Sequence, residues 1–199
     1  MQLQRCYFSF VVGVALVGAG RTVTAQSATA RQQGGGGAPA SGAISTRLES
    51  FQPSPGSLVT VAYENLGDLN FGRVSVEVRE LRDSKGEFAR GVVIRVTESQ
   101  TLQEQAFVDP EEIPELLRGI DAILRTTSNP TSFKSFELRY KTRGELEVSA
   151  YNTDAYVQYA IQAGHATKAT ALNLRSEDMA KFRSMMVAAS ARLAAAARR

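Results

Sequence analysis

The chain has 199 residues, of which 43% are hydrophobic and 22% charged, a composition typical of a globular protein rather than a disordered one. Its formal net charge of +3 includes Arg5 and Arg21, which lie in an N-terminal segment interpreted below as a leader. Without them, 21 basic residues stand against 20 acidic ones, which leaves a net charge of +1. Charge alone therefore gives no indication of an anionic partner.

Residues 1–25 have the features of a secretory signal peptide. Arg5 precedes an apolar run of about 14 residues, 6–19, which is too short to cross about 30 Å of hydrocarbon comfortably. Val23 and Ala25 place compact residues at the −3 and −1 positions of a cleavage site before Gln26. We expect cleavage near Ala25 and export to the periplasm or beyond. An uncleaved N-terminal anchor and a cytosolic chain remain as alternatives.

The single cysteine of the chain, Cys6, lies in this predicted leader. Residues near position 20 lack the small-residue-then-cysteine pattern of a lipoprotein signal, so we do not expect a lipid anchor. A mature chain without thiols excludes a disulfide framework, a cysteine nucleophile and a cysteine-based metal site. No other stretch approaches 18 apolar residues, so we expect no transmembrane segment in the mature chain.

Residues 26–45 are dominated by Gly, Ala, Ser and Gln and show no apolar period, which predicts a flexible linker. The remaining residues, 46–199, are predicted to form a single α+β domain. At this size an apolar core can hold the fold without disulfides, since about 68–70% of the unfolded surface becomes buried.

The domain repeats one order of elements in two halves, about residues 58–125 and 133–199. In the first half, alternation such as that of Val74, Val76 and Val78 predicts strands over 58–63, 73–81, 91–97 and 102–108. Asp109 and Pro110 then predict the start of an amphipathic helix. In the second half, strands are predicted over 133–142, 145–151, 154–162 and 168–174.

The second half ends in a long helix, for which Ser176 is the predicted cap. We therefore predict two pseudo-repeated ββββα halves, with antiparallel sheets backed by two amphipathic helices. The alternative is a general α+β fold whose halves look alike only because capped amphipathic helices resemble one another.

The sequence offers no coherent catalytic or metal-binding set. The sole histidine, His165, lies in a predicted turn, where a solvated loop is a better interpretation than a triad member. Acidic residues cluster at the two predicted helix starts, where capping already explains them. These residues are Asp109, Glu111, Glu112, Glu177 and Asp178. We predict no catalytic residues, no metal site and no cofactor.

Four of the six tyrosines fall between residues 140 and 159, with basic residues beside them. Tyrosines on an open sheet can stack on bases or sugars while arginine and lysine contact phosphates. The alternative is cross-strand packing with the polar tips at the rim. The candidate binding residues are Tyr140, Tyr151, Tyr156, Tyr159, Arg139, Lys141 and Arg143.

The predicted element order over about residues 58–195 is similar to the single-stranded nucleic-acid-binding folds of the Whirly and Pur type. Residues 168–172, Lys-Ala-Thr-Ala-Leu, resemble the Whirly strand Lys-Gly-Lys-Ala-Ala-Leu, although the central Gly-Lys is missing. The resemblance implies binding of single-stranded nucleic acid, whereas the export signal and the near-neutral charge argue against it. Fold analogy by itself does not supply a function.

We therefore expect a secreted or periplasmic binding or interaction module without catalysis, whose partner is an envelope or extracellular protein or ligand. Single-stranded nucleic-acid binding is the first alternative. A carboxylate-dependent hydrolase is the second, and it requires two of the clustered acidic residues to face one concavity. The alanine-rich last helix also leaves a homo-oligomer open.

Overall fold

The computed structural model describes residues 45–153, 156–165 and 168–198, and the statements below refer to these residues. The predicted leader lies outside them, as does the predicted linker except for its last residue. The strands are β1 (Val59–Leu69), β2 (Val74–Asp83), β3 (Phe88–Thr97), β4 (Gln103–Val108), β5 (Glu137–Lys141), β6 (Glu147–Thr153), β7 (Tyr156–Ala163) and β8 (Thr170–Leu174). The helices are α1 (Arg47–Ser50), α2 (Ile113–Arg125) and α3 (Ser176–Ala196).

The eight strands form two antiparallel four-stranded sheets, each connected in sequence order. We call them sheet A, β1-β2-β3-β4, and sheet B, β5-β6-β7-β8. A helix follows each sheet, α2 after sheet A and α3 after sheet B. The predicted α+β fold with two ββββα halves is therefore confirmed.

The helix of each half packs on the sheet of the other half. The helix after sheet A, α2, packs on β5 and β6, whereas the helix after sheet B, α3, packs mainly on β1 and β2. The inner faces of both sheets and both long helices share one apolar core. Its largest fully buried side chains include Phe182, Ile94, Ile120 and Ile161. Neither half can bury its own sheet alone, so the halves must fold together.

A β-bulge in β1 keeps the end of this strand in the core. The pairing of β1 with β2 shifts by one residue between Asn65 and Gly67, and Gly67 has φ of +131°. The extra residue shifts the alternation of β1 by one position, so that Leu69 faces inward and is 2% exposed. Glycine suits this position because a side chain would also approach the Met185 sulfur.

The short helix α1 covers the outer face of sheet A and was missed by the sequence analysis. Thr46 and Glu49 form a capping box, in which the Thr46 amide donates to the Glu49 carboxylate at 2.9 Å. Leu48 of this helix packs with Ala89 and Val93 on β3. Thr46-x-x-Glu49 was the available signal, but it stands directly after the predicted linker.

One predicted helix start is confirmed and the other needs correction. Asp109 caps the helical segment at Pro110, whose first turn, Pro110–Glu112, is 3-10 and leads directly into α2 at Ile113. Ser176 was predicted as the cap of α3, but Arg175 occupies that position with extended backbone, and Ser176 is the first helical residue. Among the described residues, none of the helices combines the length and apolar character that crossing a bilayer requires.

The turn between β5 and β6 joins the two halves at a point without space for a side chain. The Phe107 amide on β4 donates to the Gly144 carbonyl at 2.9 Å. A Cβ at Gly144 would lie 2.1 Å from the Phe107 carbonyl oxygen, and one at Gly119 on α2 would lie 2.6 Å from the Tyr140 ring.

We predict that Gly144→Ala destabilises the fold by about 2 kcal/mol or more, because the backbone of β4 would have to move. Gly119→Ala is the matched comparison. Its loss should be smaller, since a side chain rather than a strand backbone must shift there and alanine gains about 1 kcal/mol of helix propensity over glycine. Urea unfolding of both variants tests this order. Equal losses would contradict it.

An ion pair connects the two long helices. Arg183 on α3 donates to both carboxylate oxygens of Asp121 on α2, at 2.5 and 3.0 Å. The hydrogen bond from Arg183 is the main reason that the pKa of Asp121 lies below its ordinary value of 3.8. Because the folded pKa is below the unfolded one, this pair stabilises the fold above pH 4 or so and ceases to do so as the pH falls through the folded pKa.

We predict that the Asp121→Asn variant is less stable than the parent at neutral pH and that the difference shrinks under acid. Urea unfolding at a series of pH values from neutral to below 4 measures this, and Arg183→Gln breaks the same ion pair from the α3 side. A difference between parent and Asp121→Asn that stays constant through the acid range would contradict the assignment.

Candidate functional site

The predicted binding residues, four tyrosines and three cations, do not all lie on one face of sheet B. Arg139, Lys141, Tyr151 and Tyr156 alternate onto the outer face of sheet B, away from the core. Tyr156 is 64% exposed, and the Tyr151 hydroxyl donates to the Asn173 side chain at 2.8 Å. These four residues therefore share one surface.

The other two tyrosines face inward and do not belong to that surface. Tyr159 is 8% exposed and contributes to the shared core. Tyr140 is half-buried against α2 beside Gly119, and burial raises the pKa of its hydroxyl. Because Tyr156 and Tyr159 are three residues apart on one strand, their side chains point to opposite faces of sheet B.

The cations on the outer face of sheet B already have carboxylate partners. Arg139 pairs with Glu137 on its own strand and lies 3.8 Å from Glu147 on β6. Lys141 pairs with Glu145 at 2.5 Å. The two cations thus lie beside three carboxylates, which weakens the surface as a binder of phosphates.

Arg143 serves a different purpose from the one expected, because it binds the start of α2. Its guanidinium lies 3.2 Å from Asp109, 3.3 Å from Glu112 and 3.6 Å from Glu111. Arg47 of α1 completes the group, with its amide donating to Asp109 at 3.0 Å. We call these five residues the Arg143 cluster. It connects α1, the start of α2 and the β5–β6 turn.

The Arg143 cluster holds one carboxylate in an unfavourable setting. Asp109 is 2% exposed, and this burial raises the pKa of its carboxyl although the Arg47 amide and Arg143 act in the opposite direction. The neighbouring carboxylates, Glu112 foremost, raise the pKa of Arg143. The geometry of this cluster is that of a structural joint rather than an open site.

The clustered acidic residues lie at two separate helix starts. Glu177 pairs with Arg175, and the Asp178 carboxylate accepts a 3.4 Å hydrogen bond from the Arg175 amide. In the described part of the chain, the cleft beside His165 and the cleft between α3 and sheet A are lined by other side chains. This placement gives no support to the interpretation of these residues as a hydrolytic pair.

His165 borders a shallow acidic cleft of about 390 Å³ that also contains Glu49, Glu104 and Glu145. Its ring is mostly exposed, and Nδ1 lies 3.9 Å from the Glu145 carboxylate. In residues 45–153, 156–165 and 168–198 no three His, Cys, Asp or Glu side chains converge in a way that could hold a metal ion.

A second cleft, of about 490 Å³, opens between the last turns of α3 and the inner face of β1, β2 and β3. Arg82 and Arg90 lie over the Phe88 ring and both bind Glu80, whose pKa is lowered by these two arginines against the effect of burial. On the α3 side Arg192 binds Glu64 of β1 at 2.7 Å. This cleft therefore follows the exposed part of β1.

The edge of β1 leaves backbone groups without a strand to pair with in the described part of the chain. β1 is the terminal strand of sheet A. The Ser84 amide donates to the Leu58 carbonyl at 2.9 Å, so the backbone groups of Leu58 point toward β2. Because this direction alternates along an antiparallel strand, the groups of Val59, Val61 and Tyr63 point outward.

The side chains on this edge are apolar and exposed. Val59 is 42% exposed, Val61 52% and Tyr63 71%, and Leu58 just before the strand is 81% exposed. Residues 59–65 are exposed throughout and contain neither lysine nor proline. Edge strands of folded proteins usually carry such residues to prevent pairing with another chain. The first half of β1, which precedes Glu64 and the bulge at Gly67, lacks lysine, proline and any bulge and is the surface best suited to contact a partner.

The sequence predicts the opening strand over 58–63 but not its importance as a surface. The usable signal was its position, because the first strand of a meander lies at the edge of the sheet. Its exposure depended on where α3 ends on sheet A, which local sequence does not specify. No protein-family model matches the sequence, and a comparison with curated proteins finds no match either.

We predict that Asp109 acts mainly as a hydrogen-bond acceptor for the Arg47 amide. Asp109→Ala should cost about 1–3 kcal/mol, because a buried amide loses its partner. Asp109→Asn should cost less, since it keeps one acceptor oxygen and removes a charge that burial disfavours. Urea unfolding at neutral pH distinguishes the two variants. If both cost the same, the charge rather than the acceptor would be the stabilising feature.

Proposed function

We propose that this chain is an exported, non-catalytic interaction module that binds its partner along the open edge of β1. The observation that carries this proposal is the outward set of backbone groups at Val59, Val61 and Tyr63, flanked by exposed apolar side chains. An extended segment can add to such an edge by main-chain hydrogen bonds and gain specificity from alternate side chains.

The non-catalytic part of the proposal is supported by what the acidic residues do. Asp109, Glu111 and Glu112 are bound to arginines of the Arg143 cluster, and Glu177 and Asp178 interact with Arg175. Export is supported by the leader-like composition of residues 1–25 alone. A partner of the cell envelope or the extracellular space follows from export.

Single-stranded nucleic-acid binding is the second candidate. The outer face of sheet B favours it, because Tyr151 and Tyr156 share that face in a duplicated ββββα fold. The pairing of Arg139 and Lys141 with glutamates weighs against it. We therefore rank it below contact through β1.

Photo-crosslinking in the cells that produce the chain tests the proposal. Benzoylphenylalanine in place of Tyr63 should give a discrete adduct, because position 63 lies on the proposed contact edge. The same group in place of Phe133, which is 77% exposed but lies outside β1, should give none. The variant Val61→Pro should abolish the adduct at position 63, since proline removes an outward N–H group while sparing the bonds from β1 to β2.

A folding control accompanies Val61→Pro. Ala62→Pro removes a group that points toward β2, so this variant should lower the melting temperature whereas Val61→Pro should leave it nearly unchanged. An adduct of equal yield from positions 63 and 133, or one that persists in Val61→Pro, would refute contact through the β1 edge. The absence of any adduct at position 63 would do the same.

A further inference from the structure

The exposed edge of β1 is complementary to itself. We propose that two copies of this chain pair β1 with β1 in antiparallel orientation, about a two-fold axis at Val61. This inference rests on the proposed function and names its partner as a second copy. The contact joins two sheets A into one continuous eight-stranded sheet.

The backbone sets the permitted registers. Outward groups occur at Val59, Val61 and Tyr63, and an antiparallel pair exchanges hydrogen bonds only where outward residues face each other. With Val61 opposite Val61 of the second copy, Val59 faces Tyr63 and all three exposed apolar residues have apolar partners. A shift by two residues places Asn65 or Ser57 opposite one of them. The register centred on Val61 is therefore the favoured one.

On the outer face, this register extends an existing apolar cluster. Val61 lies beside Leu81 on β2, and Leu81 lies beside Ala89 on β3, where Leu48 and Phe51 cover the sheet. In the pair, the row from Ala89 to Val61 continues into the same row of the second copy. An apolar band that ends at solvent in one copy thus crosses the contact without interruption.

On the inner face, the charges are also compatible. Glu64 is the one charged residue among residues 58–65, and in this register it faces Leu58 of the second copy rather than Glu64. The pairing thus places no like charges opposite each other.

The cleft beside α3 gives the second copy further apolar surface. Ala62 and Glu64 line this cleft together with Leu193, Ala195 and Ala196. Since Leu58 of the second copy faces Glu64, its 81% exposed side chain lies at the mouth of the cleft. Contact along one strand and one cleft is a small interface, so we expect a dissociation constant in the micromolar range.

Sedimentation velocity of the purified chain, as its cells process it, measures the self-association. Val61→Lys should weaken it by about tenfold or more, because a desolvated charge would sit on the axis. Val187→Lys on α3 is the matched control, since Val187 is 45% exposed and Val61 is 52% exposed. It should leave the association unchanged, and loss of dimer in Val187→Lys alone would assign the contact to α3 instead.

Cysteine pairs in a Cys6→Ser background test the register. Val61→Cys should form a disulfide-linked dimer under mild oxidation, because position 61 faces itself. Val59→Cys should do so only when mixed with Tyr63→Cys. A chain that remains monomeric at high micromolar concentration overturns the pairing. If the photo-adduct at position 63 then joins a different protein, contact through β1 stands with another partner. If the chain neither self-associates nor gives an adduct at position 63, both proposals are refuted.

Discussion

The exchange of helices between the two halves is the constraint on which the rest of this fold depends. Because α2 covers sheet B and α3 covers sheet A, both inner faces are buried only when all four layers are assembled. The Asp121–Arg183 pair and the Phe107–Gly144 backbone bond lie where the two halves meet. The repeat is therefore a repeat of element order, while the folding unit is the whole domain.

The Arg143 cluster illustrates how such a joint can resemble an active site. Several titratable groups converge, one is almost fully buried, and its pKa is raised, features that often accompany catalysis. Here each group has a structural partner, and the cluster connects three segments distant in sequence. A perturbed pKa at this position reflects the burial needed to join the halves.

The element order of the fold could be predicted because each strand and helix carries a local signal. Alternation of Val74, Val76 and Val78 and the Asp109-Pro110 helix start depend on neighbours in sequence. The positions of Tyr140, Tyr159 and Arg143 depended on distant segments. α2 covers the strand of Tyr140, β3 and α3 pack against the strand of Tyr159, and Asp109 binds Arg143. The surface of β1 was unpredictable for the same reason, since α3 had to be placed first.

The length of β1 and the end of α3 together explain why an apolar edge remains exposed. Beyond the bulge at Gly67, β1 enters the core at Leu69, but its first half extends past the last turns of α3. A strand that served only to complete sheet A could begin near Glu64 without loss of core packing. Against the rest of the described residues, Val59 to Tyr63 bury little and expose valine and tyrosine to water. The pattern of this segment is complementary to that of a second copy.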